Sequence, residues 1–386
     1  MIRIDLDGGM GAVKGMDLTT TAYGTWSGGR YMHYGEMLTE ERYQACIRQA
    51  YESGIRTFVT ADVYGTGLAD QALGRALDGI DRDSYCLVGM VGHDHYKGKR
   101  QGSSGFPRFT HPDLNSPAQY RDFLVKQTSD SLKNCQTDRF DLLLLHNPDE
   151  LGYMSDEVWS GMSYLKQEGL TERLGLAPGP ANGFTLDMIY AFENFGELID
   201  WTMIILNPLE PWPGQHVLAA AEANEVDILT RVVDYGGLFF DIMKPGYEFK
   251  PGDHRAYRPD GWIERGCDLI NKMRPIAERH GLTPIQLACI WNLSQSPVKS
   301  VVPTCIQEPN PDAPTIEDMI AEVAALPDLR LSPEEVDEIR QIGDNTGCMQ
   351  LKGASKRHAV SERPDEWPMR DELLVLAQKY GLTQDW

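Results

Sequence analysis

The feature that most constrains this chain is a repeated unit in which a stretch of helical periodicity ends at a turn and a short apolar run follows. In the first clear copy Thr39 can cap a helix, because its hydroxyl can accept from an unpaired amide of the first turn. Tyr43, Cys46, Ile47, Ala50 and Tyr51 then fall at helical spacing, and Gly54 ends the helix before the run at residues 57–60. Similar runs recur at residues 85–91, 140–146, 173–177, 201–206, 228–233 and 299–302, and an earlier one at 18–23 brings the number to about eight. Strands separated by helices run parallel, since each helix carries the chain back to the edge where it started. The expected fold is therefore α/β, a (β/α)8 TIM barrel. The unit recurs in pattern only, and no internal sequence repeat or low-complexity linker divides the chain. The expected organisation is a barrel over residues 1–342 and a C-terminal extension over 343–386, packing on the barrel or at a dimer interface.

Charge narrows the function. A formal net charge of -21 opposes any general affinity for nucleic acid or an anionic membrane surface. No apolar run approaches the roughly 20 residues that span a bilayer, and the first residues do not read as a signal peptide, so a cytoplasmic protein is expected. The 7 cysteines are scattered without CxxC spacing, which argues for reduced thiols and against a disulfide framework or a thiolate metal site.

A long polar stretch at residues 95–119 interrupts the pattern after the third strand, and in a barrel it lies on the strand C-terminal face where sites are built. Immediately before it stands His93-Asp94-His95. Two histidines one residue apart can hold a divalent metal, with His146 of the next strand as third ligand. The plainer reading makes them loop residues that bond backbone or substrate, so His93 is assigned to substrate binding and the metal set of His93, His95 and His146 is kept as an alternative.

The segment FVTADVYG at residues 58–65 resembles the aldo-keto reductase signature FDTAxxYG, with Val59 in place of its aspartate. The segments LADQALGRAL, FDLLLLHNPD, ERLGLA, IILNPLEP, YGGLF and LTPIQLACIWNL resemble further parts of that family in the same order, over roughly residues 16–342. The resemblance implies the barrel of the aldo-keto reductase type. It also places the family's functional residues. The catalytic tyrosine falls on Tyr64 and the histidine on His146, while the aspartate and lysine fall on Val59 and Met90. The Ser-Asn pair that holds the nicotinamide carboxamide falls on Ala177 and Pro178, its glutamine partner on Met203, and the ring that stacks on the nicotinamide on Arg231. The phosphate and adenine segment reads VPTCIQ at residues 302–307, and its later asparagine falls near Met319.

These exchanges have physical consequences. A tyrosine gives up its proton near pH 10, and the family's lysine helps by stabilising the phenolate. Methionine offers no charge, so Tyr64 stays protonated unless Arg231 or a loop lysine substitutes. Losing both members of an Asp–Lys pair avoids a lone buried charge. An arginine where the ring stacks opposes an oxidised, positively charged nicotinamide and suits an anionic substrate better. The expected function is therefore acid–base chemistry, an elimination (lyase) or isomerisation, on a polar, sugar-derived carbonyl compound with no cofactor. His146 acts as base, Tyr64 as proton donor, and Trp26, Asp62, His93, Arg231 and Asp234 contact substrate. The first alternative is an NADP-dependent oxidoreductase with an altered tetrad, and the second a non-catalytic binding barrel; under any of these readings the protein could be a homo-oligomer.

Overall fold

The computed structural model describes residues 16–26, 34–100, 105–179, 184–258, 260–346 and 371–382. Eight strands pair in parallel in chain order: β1 (Ala22–Gly24), β2 (Thr57–Val59), β3 (Cys86–Val91), β4 (Leu142–His146), β5 (Leu174–Ala177), β6 (Trp201–Ile205), β7 (Asp227–Arg231) and β8 (Val298–Val302). A parallel bridge between Thr21 and Val301, with the Val301 amide donating to the Thr20 carbonyl at 2.9 Å, joins the last strand to the first. Helices α1 (Glu40–Glu52), α2 (Leu68–Leu77) and α3 (Tyr120–Asn134) make the first crossovers. The expected (β/α)8 barrel is the observed one.

Local chemistry accounts for the elements. Thr39 caps α1 by accepting from the Arg42 amide, and Tyr43, Cys46, Ile47 and Ala50 are its buried face. Two apolar layers result. The larger lies between strands and helices, and a smaller one fills the barrel with Ala22, Val59, Ala61, Cys86, Val88, Met90, Leu142, Leu144, Ala177, Trp201, Met203, Leu229 and Val302. Val59 and Met90 are 3% and 1% exposed. The positions where the resemblance expects an ion pair are therefore packed core, each side chain contributing about 1.5 to 3 kcal/mol by its burial.

Two strand ends depart from the sequence reading. The first strand is only Ala22–Gly24, because the Thr19 hydroxyl donates to the Thr21 carbonyl at 2.8 Å and the Thr19 amide to the Thr57 hydroxyl at 2.7 Å, diverting the backbone locally. The seventh stops at Arg231 because Val232 has φ 58°, a conformation that costs a β-branched residue steric strain. Beyond the barrel, the helix Asp371–Lys379 buries Leu373, Leu376 and Ala377, and the Lys379 ammonium binds Glu193 of the helix Thr185–Phe195 at 2.6 Å. Among the described residues no helix is long and apolar enough to cross a membrane. Cys46, Cys86, Cys135, Cys267, Cys289 and Cys305 are free thiols, and Cys348 lies outside the described residues.

Candidate active site

Tyr64 and His146 meet at the C-terminal mouth of the barrel. Tyr64 opens a tight turn, Tyr64–Gly67, in which Gly65 and Thr66 have φ 60° and 53°. Its ring packs on the interior apolar layer that contains Val59 and Met90. His146 is the last residue of β4 and is 6% exposed, and Asn147 at φ 47° breaks the strand directly after it. The two rings stand nearly perpendicular, at 85°, with centroids 5.8 Å apart. Trp26 stacks on Tyr64 at 6.2 Å, and Tyr34 meets Trp26 edge-on at 5.6 Å. The structure thus brings Tyr64, His146 and Trp26 together.

Enclosure sets the protons. Burial pushes the Tyr64 phenol above its ordinary range, with Arg231 as the main opposing charge. Burial also pushes His146 well below the ordinary imidazole range, and His93, Arg108 and Arg231 add to the effect. At neutral pH the pair is a protonated phenol beside a neutral imidazole. Arg231 ends β7, donates from Nη2 to the Pro178 carbonyl at 2.7 Å, and has no partner for its buried Nε. Gly179 permits that approach, since a Cβ there would lie 2.9 Å from Arg231 Nη2 and 2.0 Å from Asn147 Oδ1.

His93 also lines this mouth, with its ring centroid 5.0 Å from that of His146. The Asn147 amide lies 3.1 Å from Nε2, and Nδ1 lies 2.8 Å from both the Phe106 carbonyl and Arg108 Nη1. Burial first, then Arg108, pushes His93 down to about 3. Arg108 and Asn147 are the residues that sequence reasoning missed. Arg108 arrives because the polar loop folds back in an antiparallel bridge to His93, a pairing with no sequence signature.

Among the described residues Asp62, His95 and Asp234 make no hydrogen bond to Tyr64 or His146. Asp62 is 3% exposed and has no hydrogen-bond partner for either oxygen; its Oδ2 is 3.7 Å from His95 Nδ1. The Gln127 amide of α3 donates instead to the His93 carbonyl at 2.6 Å. The His95 ring stacks on Tyr96 at 4.3 Å, so His93, His95 and His146 do not converge, and among the described residues no three ligands form a metal set. Asp234 accepts from the Gly237 and Thr304 amides at 2.8 and 2.9 Å, tying the loop after β7 to the segment after β8. In that segment Gln307 Oε1 accepts from Arg42 and from the Ile316 amide. Asp234 and Gln307 are thus occupied in holding loops together.

Near Asp62 lies Asp70 of α2, fully enclosed, bonded to the Thr60 and Ser131 hydroxyls at 2.6 Å and pushed up to about 6 by burial. A carboxyl with a raised folded value stabilises fully below its unfolded value, and that contribution is lost as pH rises through the folded one. Two units at about 1.4 kcal/mol each make the loss about 3 kcal/mol. Asp70→Asn should therefore gain stability relative to the parent between about pH 4 and about pH 7 in urea melts, and a constant difference would remove this assignment.

The site can be compared with known proteins. The profile of the Aldo/keto reductase family matches residues 21–344. Aldo-keto reductase YhdN of Bacillus subtilis is 27% identical over 290 residues, 74% of this chain and 80% of that protein. The glycerol dehydrogenase of Gluconobacter oxydans superposes with a TM-score of 0.67 at 23% identity, covering 93% of this chain and 98% of that one. An aldo/keto reductase of Klebsiella pneumoniae, solved with NADP and acetate, gives a TM-score of 0.56 at 21% identity over 84% and 91% of the two chains.

These matches overturn the expectation of a lyase or isomerase working without a cofactor, because the relatives are reductases and a dehydrogenase and one was solved with NADP. The physical reason is that Val59 and Met90 remove an ion pair without removing the proton donor. Burial alone keeps the Tyr64 phenol protonated, and His146 remains beside it. A matching profile over most of the barrel and a Tyr–His pair at its mouth agree, and the chain belongs to the aldo/keto reductase family.

Proposed function

We propose that the protein is a nicotinamide-dependent oxidoreductase that reduces a small polar carbonyl compound. The observation that carries this reading is the protonated Tyr64 phenol set against neutral His146 over an apolar floor. The names of the relatives and the NADP in the Klebsiella structure support it.

The residues present fit the reduced cofactor. Val59, Met90, Ala177, Met203 and Val302 belong to an apolar layer suited to a flat, uncharged ring, and Arg231 adds a cation with an unpartnered Nε that can bind a carboxamide oxygen. Ala177, Pro178 and Met203 bring no side-chain amide or hydroxyl, so Arg231 is the residue that holds the ring. When bound, reduced nicotinamide supplies a hydride to the carbonyl carbon. The protein manages the oxygen. As the C=O electron pair moves onto oxygen, Tyr64 Oη transfers its proton there and neutral His146 donates a hydrogen bond to the same atom. The product is the alcohol, the phenolate regains a proton from water, and Arg231 takes over the lysine's task of stabilising that phenolate.

A titration followed by tryptophan fluorescence tests this. NADPH or NADH should bind below millimolar concentration, and the oxidised forms roughly tenfold more weakly, because their ring charge faces Arg231. Absence of binding by every form would defeat the proposal.

A further inference from the structure

Among the described residues two arginines at the mouth form no salt bridge, and the buried Glu210 acts on Arg231 only through its charge. Arg108 donates from Nε to the Asn147 carbonyl and from Nη1 to the Phe106 carbonyl at 3.0 Å, with Nη1 2.8 Å from His93 Nδ1. Among the described residues nothing is bonded to its Nη2, and no ion pair forms at Arg108 or Arg231. The contrast with Arg255 is direct. That side chain is 1% exposed and is held by Asp253 and Glu308 at 2.8 and 2.5 Å. The acid nearest in effect to Arg108 is Asp149, which is engaged with the Thr110 hydroxyl at 2.6 Å and the Gly152 amide at 3.0 Å.

The two guanidinium groups flank one histidine. Arg108 approaches from the β3 side, through His93 and the Asn147 carbonyl, and Arg231 from the β7 side, through Pro178. Both depress His146, and burial lowers both guanidinium groups below their ordinary range, the direction taken by cations that are enclosed without adequate compensation. Enclosing an unpaired cation is costly, and an anionic guest relieves the cost. The protein is strongly acidic, with a formal net charge of -21, so an anionic substrate gains nothing from the molecule's overall field and needs a local cation to be held.

We propose that the substrate is a carbonyl compound bearing a carboxylate, and that Arg108 binds the carboxylate while the carbonyl oxygen lies between Tyr64 and His146. The planar guanidinium, with Nη2 open, suits the two oxygens of a carboxylate. Arg231 lends its charge from the cofactor side. This inference rests on the reductase reading and specifies its substrate class.

The test is a series of oxo-carboxylates of increasing chain length, each assayed beside its methyl ester with NADPH. At the matching length the acid should exceed its ester in kcat/KM by roughly ten- to a hundredfold, the range for one charge-assisted contact. Arg108→Gln should collapse that ratio towards one through the KM of the acid, and Arg108→Lys should restore part of it. Equal rates for acid and ester at every length, or a ratio unchanged in Arg108→Gln, overturn the proposal. Calorimetry with succinate and with inorganic phosphate separates the two readings. Succinate binding that Arg108→Gln abolishes, in a protein that reduces nothing, keeps the subsite and discards the reductase. Phosphate binding in preference to every carboxylate discards the carboxylate assignment.

Discussion

Tyr64→Phe is expected to lower kcat/KM for carbonyl reduction by about a thousandfold, within the range that a positioned proton donor contributes. The ring still packs on the interior layer and still stacks with Trp26, and among the described residues its hydroxyl has no hydrogen-bond partner, so the variant should unfold at the parent's urea concentration. The loss would then be chemical. The same proton fixes the pH dependence. Reduction uses the phenol form, which burial holds to high pH, and His146 stays neutral because its value is pushed down. The reduction rate should therefore be level between about pH 6 and about pH 9 and decline only as pH rises through the raised phenol value. Alcohol oxidation needs the phenolate, whose fraction below that value grows tenfold per pH unit, so it should climb throughout the same range. A reduction profile with a midpoint near neutrality would show that some cation replaces the lost lysine more completely than Arg231 does.

Met90→Lys is expected to cost about 3 to 5 kcal/mol in urea melts, the penalty of an unpaired buried charge. Met90 is 1% exposed inside the barrel, and the neighbouring β2 offers Val59 where a carboxylate would be needed. Val59→Asp should be similarly harmful. The double variant should lose less than the two losses added, since each charge then has its partner. It should also bring the Tyr64 phenol down and give the reduction profile a new inflection. A Met90→Lys protein as stable as the parent would mean that the floor is open to water, and the account of a paired, accommodated loss would not hold.

Much of this was legible in the chain. Parallel buried strands produce continuous apolar runs, so FDLLLLH announces β4 and puts His146 at its end. Tyr64 was placed by a motif with fixed spacing. The failures have particular causes. Val232 reads as strand because it is β-branched, yet its left-handed backbone ends β7 one residue earlier. Asp62 and Asp234 read as mouth residues because they follow strands. In the structure Asp62 Oδ2 lies 3.7 Å from His95 Nδ1 with both carboxylate oxygens unbonded, and Asp234 accepts from two backbone amides. Arg108 was invisible because its position depends on how a long loop folds back onto His93, which involves no periodicity. The functional error came from treating the missing charges as missing chemistry. An enclosed phenol is already an acid, and the lysine governs how readily it becomes a base.

The most direct test of a nicotinamide reductase is isotope transfer. The protein should be incubated with NADPH carrying deuterium at C4 and with oxo-carboxylate substrates, and the products examined by NMR. The account predicts deuterium at the new carbinol carbon from one face of the ring only, with equimolar loss of NADPH and almost no transfer in Tyr64→Phe. Products formed without deuterium, or with NADPH unconsumed, would contradict it.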